Sequence, residues 1–304
     1  MPGIKNTRSS VVVTGASSGL GLAASAKLAA ERHVILACRS VERGEAAAVA
    51  IRERAPSASV EVLELDLGCL ASVRSAASTL INDRPPLHAL VCNAGIQVVN
   101  GVRRSQDGYE LTFATNHLGH FLLTELLLDH IAEPGRIVMV SSGTHYGPPR
   151  SLGFPGPRWE KPDRLADPSH QDGSARAGRI RYSTSKLANL YTTYDLAHRL
   201  ADREITVNAV DPGLMPETRL DRDWPARLRR LYGRLTPLLI RAVPGARSVD
   251  DAAAAVAWLV TAPELAGVTG AYFAGRRRTA SSKESYDRGR AVELRAVSEE
   301  LVGA

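Results

Sequence analysis

The sequence predicts an α/β fold: a doubly wound, parallel sheet of about seven strands with helices on both faces, built as a single domain over residues 1–304. Three observations predict it. Short apolar runs alternate with longer stretches of helical spacing through the first two-thirds of the chain, a glycine-rich turn directly follows the first run, and every run keeps the same rhythm. Strand–helix alternation with right-handed crossovers makes neighbouring strands parallel and leaves helices on both sides of them.

The elements follow in order. SVVVTG, HVILAC, SVEVLEL, LHALVC, RIVMVSS and ITVNAVD are short, apolar and bounded by turn residues, as strands buried on both faces should be. Stretches near 19–31, 41–54, 69–82, 106–131 and 182–202 carry helical spacing and good helix formers. A helix near 249–261, a last strand at AYFAG and a charged helix near 284–301, with Leu294, Val297 and Leu301 on one side, close the chain. Two stretches break the rhythm. Residues 146–180 are dense in Pro and Gly and are expected to be a long surface insertion. Residues 215–247 mix Trp224, Leu228 and Leu235 with many arginines, the composition of an amphipathic lid.

Composition bounds the function. With 44% hydrophobic and 23% charged residues the chain is ordinary for a globular protein. No apolar run reaches membrane-spanning length, and MPGIKNTRSS leads into a strand instead of the apolar core of a signal peptide. Cys38, Cys69 and Cys92 are odd in number and lack metal or redox spacing, so a reduced, cytoplasmic protein is expected. The net charge of +6 is spread along the chain without a finger or an aromatic RNA-binding box, which argues against nucleic acid.

VVVTGASSGLGLAASAKLAA places Gly15, Gly19 and Gly21 between the first strand and the first helix. Without Cβ atoms there, backbone N–H groups and the positive helix end can approach a pyrophosphate. The end of the second strand then selects the dinucleotide. A carboxylate there takes the ribose 2′-hydroxyl of NAD, whereas positive charge suits the 2′-phosphate of NADP. The chain has Arg39 and no acid until Glu42, so NADP(H) is expected. Tyr182 and Lys186, four positions apart, share one helix face. A phenol with an ordinary pKa of about 10 is a poor acid near neutrality, and an ammonium one turn away should draw it down.

The Gly-x-x-x-Gly-x-Gly spacing, NAG at 93–95, YSTSK at 182–186 and DPG at 211–213 together resemble the short-chain dehydrogenase/reductase family, with its Rossmann-like fold, from about residue 11 to 275. ILACRS, TFATNHLGHFLL and RAVELRAVSEELVG are similar to the branch holding retinol dehydrogenases and protochlorophyllide reductases. The resemblance implies a catalytic set of Asn116, Ser142, Tyr182 and Lys186: tyrosine as proton donor, lysine as its electrostatic partner and ribose ligand, serine on the substrate oxygen, and the Asn116 backbone holding a relay water. Ser141 is the alternative to Ser142 if the strand ends one residue early. The implied cofactor shell comprises Gly15, Ser17, Ser18, Gly19, Leu20 and Gly21 at the pyrophosphate, Arg39, and Asp66 with Leu67 at the adenine. Asn93, Ala94 and Gly95 flank the fourth strand, and Pro212, Gly213 and Thr218 lie over the nicotinamide. Asp66 has an equally good reason to be there as a helix N-cap. Leu214 stands where the protochlorophyllide reductases have a cysteine after Pro-Gly, which argues against photochemistry. His117 and His120 sit at a spacing able to hold a metal but lack a third ligand, so they are read as structural and no metal is expected.

These features imply an NADPH-dependent reductase of a carbonyl on a bulky apolar molecule, or a dehydrogenase of the corresponding alcohol. Reduction of a conjugated C=C bond is the alternative within enzymes. A dinucleotide-binding sensor without turnover is the alternative outside them, and the presence of both Tyr182 and Lys186 argues against it. The 215–247 segment is favoured as a lid over a membrane-surface helix, because Pro225, Gly233, Pro237 and Pro244 interrupt it. The family resemblance also implies a homodimer or homotetramer.

Overall fold

A computed structural model describes residues 9–151, 153–215 and 245–303. Within them the apolar runs form one sheet of eight strands in the order β3-β2-β1-β4-β5-β6-β7-β8. These are β1 (Ser10–Thr14), β2 (His33–Cys38), β3 (Ser59–Glu64), β4 (Leu87–Cys92), β5 (Ile131–Val140), β6 (Ile205–Asp211), β7 (Ala271–Ala274) and β8 (Arg277–Thr279). The first seven pair in parallel, and β8 runs antiparallel to β7. Alternating side chains feed two cores. Val12, Ile35 and Leu90 pack with α3 (Leu70–Asp83), α5 (Gly119–Leu127), α7 (Ala175–Arg199) and α9 (Arg288–Val302) on one face. Val11, Val13 and Leu36 pack with α1 (Gly19–Leu28), α2 (Val41–Arg54) and α8 (Val249–Thr261) on the other. Strand order reverses at β1 and β4, which opens a crevice outside their carboxyl ends.

The doubly wound sheet appears as expected, with one strand more. β8 escapes the apolar pattern because RRT is short, charged and mostly exposed, features that also protect a sheet edge from further pairing. α1 stops at Leu28, before the expected end. The 106–131 stretch is not one helix: a short α4 (Leu111–Phe113) leads into a π-helical turn (Ala114–Leu118), then α5 and a 3₁₀ turn (Leu128–His130).

Residues 146–180 depart furthest from expectation, because the stretch is only partly a surface insertion. α7 starts inside it at Ala175, where the Ser174 hydroxyl accepts from the Ala177 N–H at 3.3 Å, and Gly178 lies hard against the carbonyls of Val98 and Val99. A short α6 (Pro162–Ala166) buries Leu165 and Ala166 in the core, and the Trp159 ring meets Tyr191 edge-on at 4.7 Å. The 215–247 lid and Thr218 fall almost wholly outside the described residues. Its two flanks are joined: Leu214 pairs in parallel with Ala246, donating to the Gly245 carbonyl at 3.1 Å and accepting from the Arg247 N–H at 2.9 Å.

Candidate active site

The crevice is built from the carboxyl ends of six strands, β1 to β6. β1 ends in Thr14 and turns through Gly15, whose φ of +67° and close approach to Ala94 both call for glycine: a Cβ there would lie 2.9 Å from Ala94 Cα. A Cβ on Gly21 would lie 2.5 Å from the Gly15 carbonyl oxygen. The turn is thus shut against itself, which brings backbone N–H groups to the mouth of α1. Ser18 occupies the N-cap of α1 without a side-chain cap bond, and no acid stands in the first turn, so the helix end is free to receive a phosphate. Gly19 is exposed at that mouth, with Ser17 and Ser18 half-buried beside it, whereas Leu20 is buried in the core and serves packing.

The remaining nucleotide-side residues lie along the same edge. Arg39 follows β2, exposed, and among the described residues it has no ion pair. Asp66 is not the N-cap of α3, a place held by Cys69; its carboxylate instead accepts from the Gly68 N–H at 2.9 Å while Ser72 Oγ accepts from its N–H at 3.0 Å. Leu67 is buried, with Gly119 close against its carbonyl. The NAG loop is tied to β1, Asn93 Nδ2 donating to the Thr14 carbonyl at 2.8 Å and the N–H groups of Asn93 and Ala94 both donating to Thr14 Oγ1 at 2.9 Å.

At the other end of the crevice, α7 carries Tyr182 and Lys186. The Ser142 side chain stands beside Tyr182, and its hydroxyl accepts from the Thr144 N–H at 3.3 Å as it caps a 3₁₀ turn (Gly143–Tyr146). Ser141 is spent elsewhere: it is buried and its hydroxyl donates to the Lys186 carbonyl at 2.9 Å. The Lys186 ammonium donates to the Val140 carbonyl at 3.0 Å, lies 5.7 Å from the Tyr182 ring centroid, and would be 3.3 Å from a Cβ on Gly95. Phe154, from the Pro/Gly-rich stretch, meets the Tyr182 ring at 6.2 Å.

Electrostatics reverse one expectation. Burial pushes the Tyr182 hydroxyl up to about 12, with neighbouring Ser142 acting to lower it and the Asp211 charge to raise it. Burial brings Lys186 down to about 8, with Cys92 acting in the opposite sense. The helix spacing does bring the two together, but desolvation dominates both groups in the protein alone.

Asn116 sits in the π turn, where the Gly119 N–H reaches back five residues to Ala114. Its side chain grips the NAG loop, accepting from the Ile96 N–H at 2.8 Å and donating to the Ile96 carbonyl at 2.9 Å and to Ser185 Oγ at 2.9 Å. Its carbonyl is 3.2 Å from His120 Nδ1, and the Asn189 amide, turned so that nitrogen faces this carbonyl, donates to it at 3.0 Å. His117 Nε2 is bonded to Ser298 Oγ at 2.9 Å. Pro212 is buried, and Gly213, at φ +86°, is held by the Asp211 carboxylate at 2.9 Å. Thr14, Asn189 and Asp211 are the site neighbours that sequence reasoning passed over. Of these, only Asp211 stood in a motif, as the first residue of DPG.

A doubly wound sheet with an open helix mouth beside its switch point has the means to hold a dinucleotide. Adding a phenol with a serine and a lysine beside it at the far end of the same crevice gives a way to exchange a proton with a carbonyl or alcohol oxygen, and the class of protein is that of a nicotinamide-dependent oxidoreductase. Comparison with known proteins agrees. Residues 9–150 match the family model described as short chain dehydrogenase. The chain is 38% identical over 300 residues to the WW domain-containing oxidoreductase of Danio rerio, covering 96% of this chain and 68% of that one. It is 35% identical over 300 residues to human retinol dehydrogenase 13, covering 96% and 84% respectively. A solved blue fluorescent protein from a metagenomic library, in complex with NADPH, superposes with a TM-score of 0.64 at 28% identity over 87% of this chain and 95% of that one. The chain belongs to the short-chain dehydrogenase/reductase family, in its retinol dehydrogenase-like branch.

Proposed function

We propose that the protein uses NADPH to reduce the carbonyl of a bulky apolar small molecule, or NADP to oxidise the corresponding alcohol, with Tyr182 exchanging the proton. The observation that carries this reading is the convergence on Tyr182 of Ser142 and of Lys186, whose ammonium lies 5.7 Å from the phenol ring and beside Gly95. The residues present fit the cofactor. The closed glycine turn and uncapped α1 mouth would receive the pyrophosphate, exposed Arg39 would pair with the 2′-phosphate, and the Lys186 ammonium would face the ribose beside Gly95. When bound, the nicotinamide supplies or accepts the hydride. In reduction, Tyr182 gives its proton to the substrate oxygen while Ser142 steadies the charge growing there. The NADPH complex of a fold relative and the retinol dehydrogenase named among the sequence relatives support the choice of cofactor and an apolar substrate.

Two variants test the reading. Tyr182→Phe should lower turnover of an apolar ketone or aldehyde about 10²- to 10⁴-fold while NADPH still binds, as followed by quenching of protein fluorescence; full activity in this variant overturns it. Arg39→Ala should weaken NADPH binding about ten- to a hundredfold and leave NADH binding nearly unchanged, and equal effects on the two cofactors refute the 2′-phosphate contact.

A further inference from the structure

SSGTHYG places a histidine three residues after Ser142, and in a 3₁₀ turn residues three apart fall in one column. His145 is buried there, and two of its groups reach the same atom. Its backbone N–H donates to the Ser142 carbonyl at 3.3 Å, and its ring Nδ1 lies 2.6 Å from that carbonyl. A carbonyl only accepts, so Nδ1 carries the proton; burial keeps the ring below its ordinary range and hence neutral near pH 7.

The imidazole is itself wedged in place. Tyr146 lies against it at 4.0 Å, and buried Tyr272 of β7 meets it edge-on at 5.0 Å. The Tyr146 hydroxyl donates in turn to the Ala280 carbonyl, just beyond β8. A side chain from a four-residue turn is thereby keyed to the edge of the sheet. The peptide entering Ser142 is held independently, because Ser141 donates from its N–H to the Val210 carbonyl at 2.8 Å and from its hydroxyl to the Lys186 carbonyl at 2.9 Å. What is left to set is the rotation of Ser142 about its Cα–C bond. That rotation stands at ψ 147°, and the bond from His145 to the carbonyl fixes it.

We propose that His145 is a positioning residue for Ser142: its Nδ1–H, braced by Tyr146 and Tyr272, locks the Ser142 peptide so that the hydroxyl stands beside Tyr182 before the substrate arrives.

The proposal rests on the role given to Ser142 above and deepens it. A hydroxyl that steadies growing charge must already be in place when the charge appears, since reorienting it during the reaction costs rate. Misplacement by about 1 Å can cost about a hundredfold. Packing alone would also bury an aromatic ring at 145, so the two roles must be separated by chemistry. Phenylalanine keeps the ring between the two tyrosines and loses the donor. Asparagine loses the ring and keeps an amide N–H near the place of Nδ1, whereas glutamine carries its amide near the place of Nε2.

The experiment measures kcat and KM with NADPH and 4-phenyl-2-butanone, an apolar ketone, for the parent, His145→Phe, His145→Asn, His145→Gln, Ser142→Ala and the double variant Ser142→Ala with His145→Phe. Thermal unfolding and NADPH binding are recorded for each. His145→Phe should lower kcat about ten- to a hundredfold with KM and NADPH affinity close to the parent's. His145→Asn should recover most of the rate and His145→Gln should not. In the Ser142→Ala background, adding His145→Phe should change kcat less than about threefold, because the group it positions is gone. A His145→Phe protein at the parent's rate, or one whose loss is as large without the serine as with it, overturns the proposal. Equal rates for the Asn and Gln variants overturn it even if the Phe variant does not fold. Full turnover in Ser142→Ala is a different result, which refutes the role of Ser142 itself.

Discussion

Thr14 shows how much of the site rests on one hydroxyl. Its oxygen accepts from two N–H groups of the NAG loop and lies 2.9 Å from His120 Nε2. Burial brings His120 down to about 4, so its ring is neutral near pH 7. Nδ1 faces the Asn116 carbonyl and must carry the proton, which leaves Nε2 to accept from Thr14. Replacing Thr14 by Val should strand the Ala94 N–H and one ring nitrogen and leave the Asn93 N–H only the Val91 carbonyl, lowering stability by about 1–3 kcal/mol in urea unfolding, while Thr14→Ser should restore most of the loss. None of this was legible in VVVTG, where Thr14 reads as one more β-branched strand residue. The pairing of Tyr182 with Lys186 was legible, since helix spacing fixes which side chains are neighbours. How strongly each is stripped of water depends on Phe154, the Ser142 turn and β5, brought there from elsewhere in the chain.

At the scale of elements, the interior strands were read most faithfully because most of their positions are buried on both faces and must be apolar. The segment at 106–131 was read less well. Its residues keep helical spacing on either side of the π turn, and one extra residue in a turn leaves no mark on an apolar pattern. α7 was also read short, because GSARAGRI lies next to a Pro- and Gly-rich stretch and was taken as part of it. The close approach of Gly178 to Val98 and Val99 shows what that glycine does: it lets the first turns of α7 pack against the backbone that follows the NAG loop. Gly178→Leu should push the two apart, cost about 1–3 kcal/mol by thermal unfolding, and weaken NADPH binding through the Asn116–Ile96 contacts more than through any cofactor contact of its own.

For the whole molecule, the last helix is a clamp on the site-bearing face. Arg74 reaches the carbonyls of Val302 and Gly303 at 2.5 and 2.9 Å, the Tyr109 hydroxyl donates to the Leu301 carbonyl at 2.6 Å, and Ser298 holds His117. Burial keeps His117 down to about 3 and His120 to about 4. Their unfolded counterparts titrate near 6.5, so below that pH the unfolded chain binds protons that the folded one refuses. Stability is therefore full above about pH 6.5 and falls as pH drops from there toward about 4. His117→Gln should flatten this dependence in urea midpoints measured from pH 7 to 5, whereas an unchanged slope would mean that other groups govern it.

The pairing of Leu214 with Ala246 sets the two ends of the intervening stretch side by side, fastened like the jambs of a doorway. Whatever length or composition lies between can then be exchanged without disturbing strand register. Grafting the corresponding stretch of a relative between residues 215 and 245 should transplant substrate preference while leaving cofactor affinity and melting temperature close to the parent's.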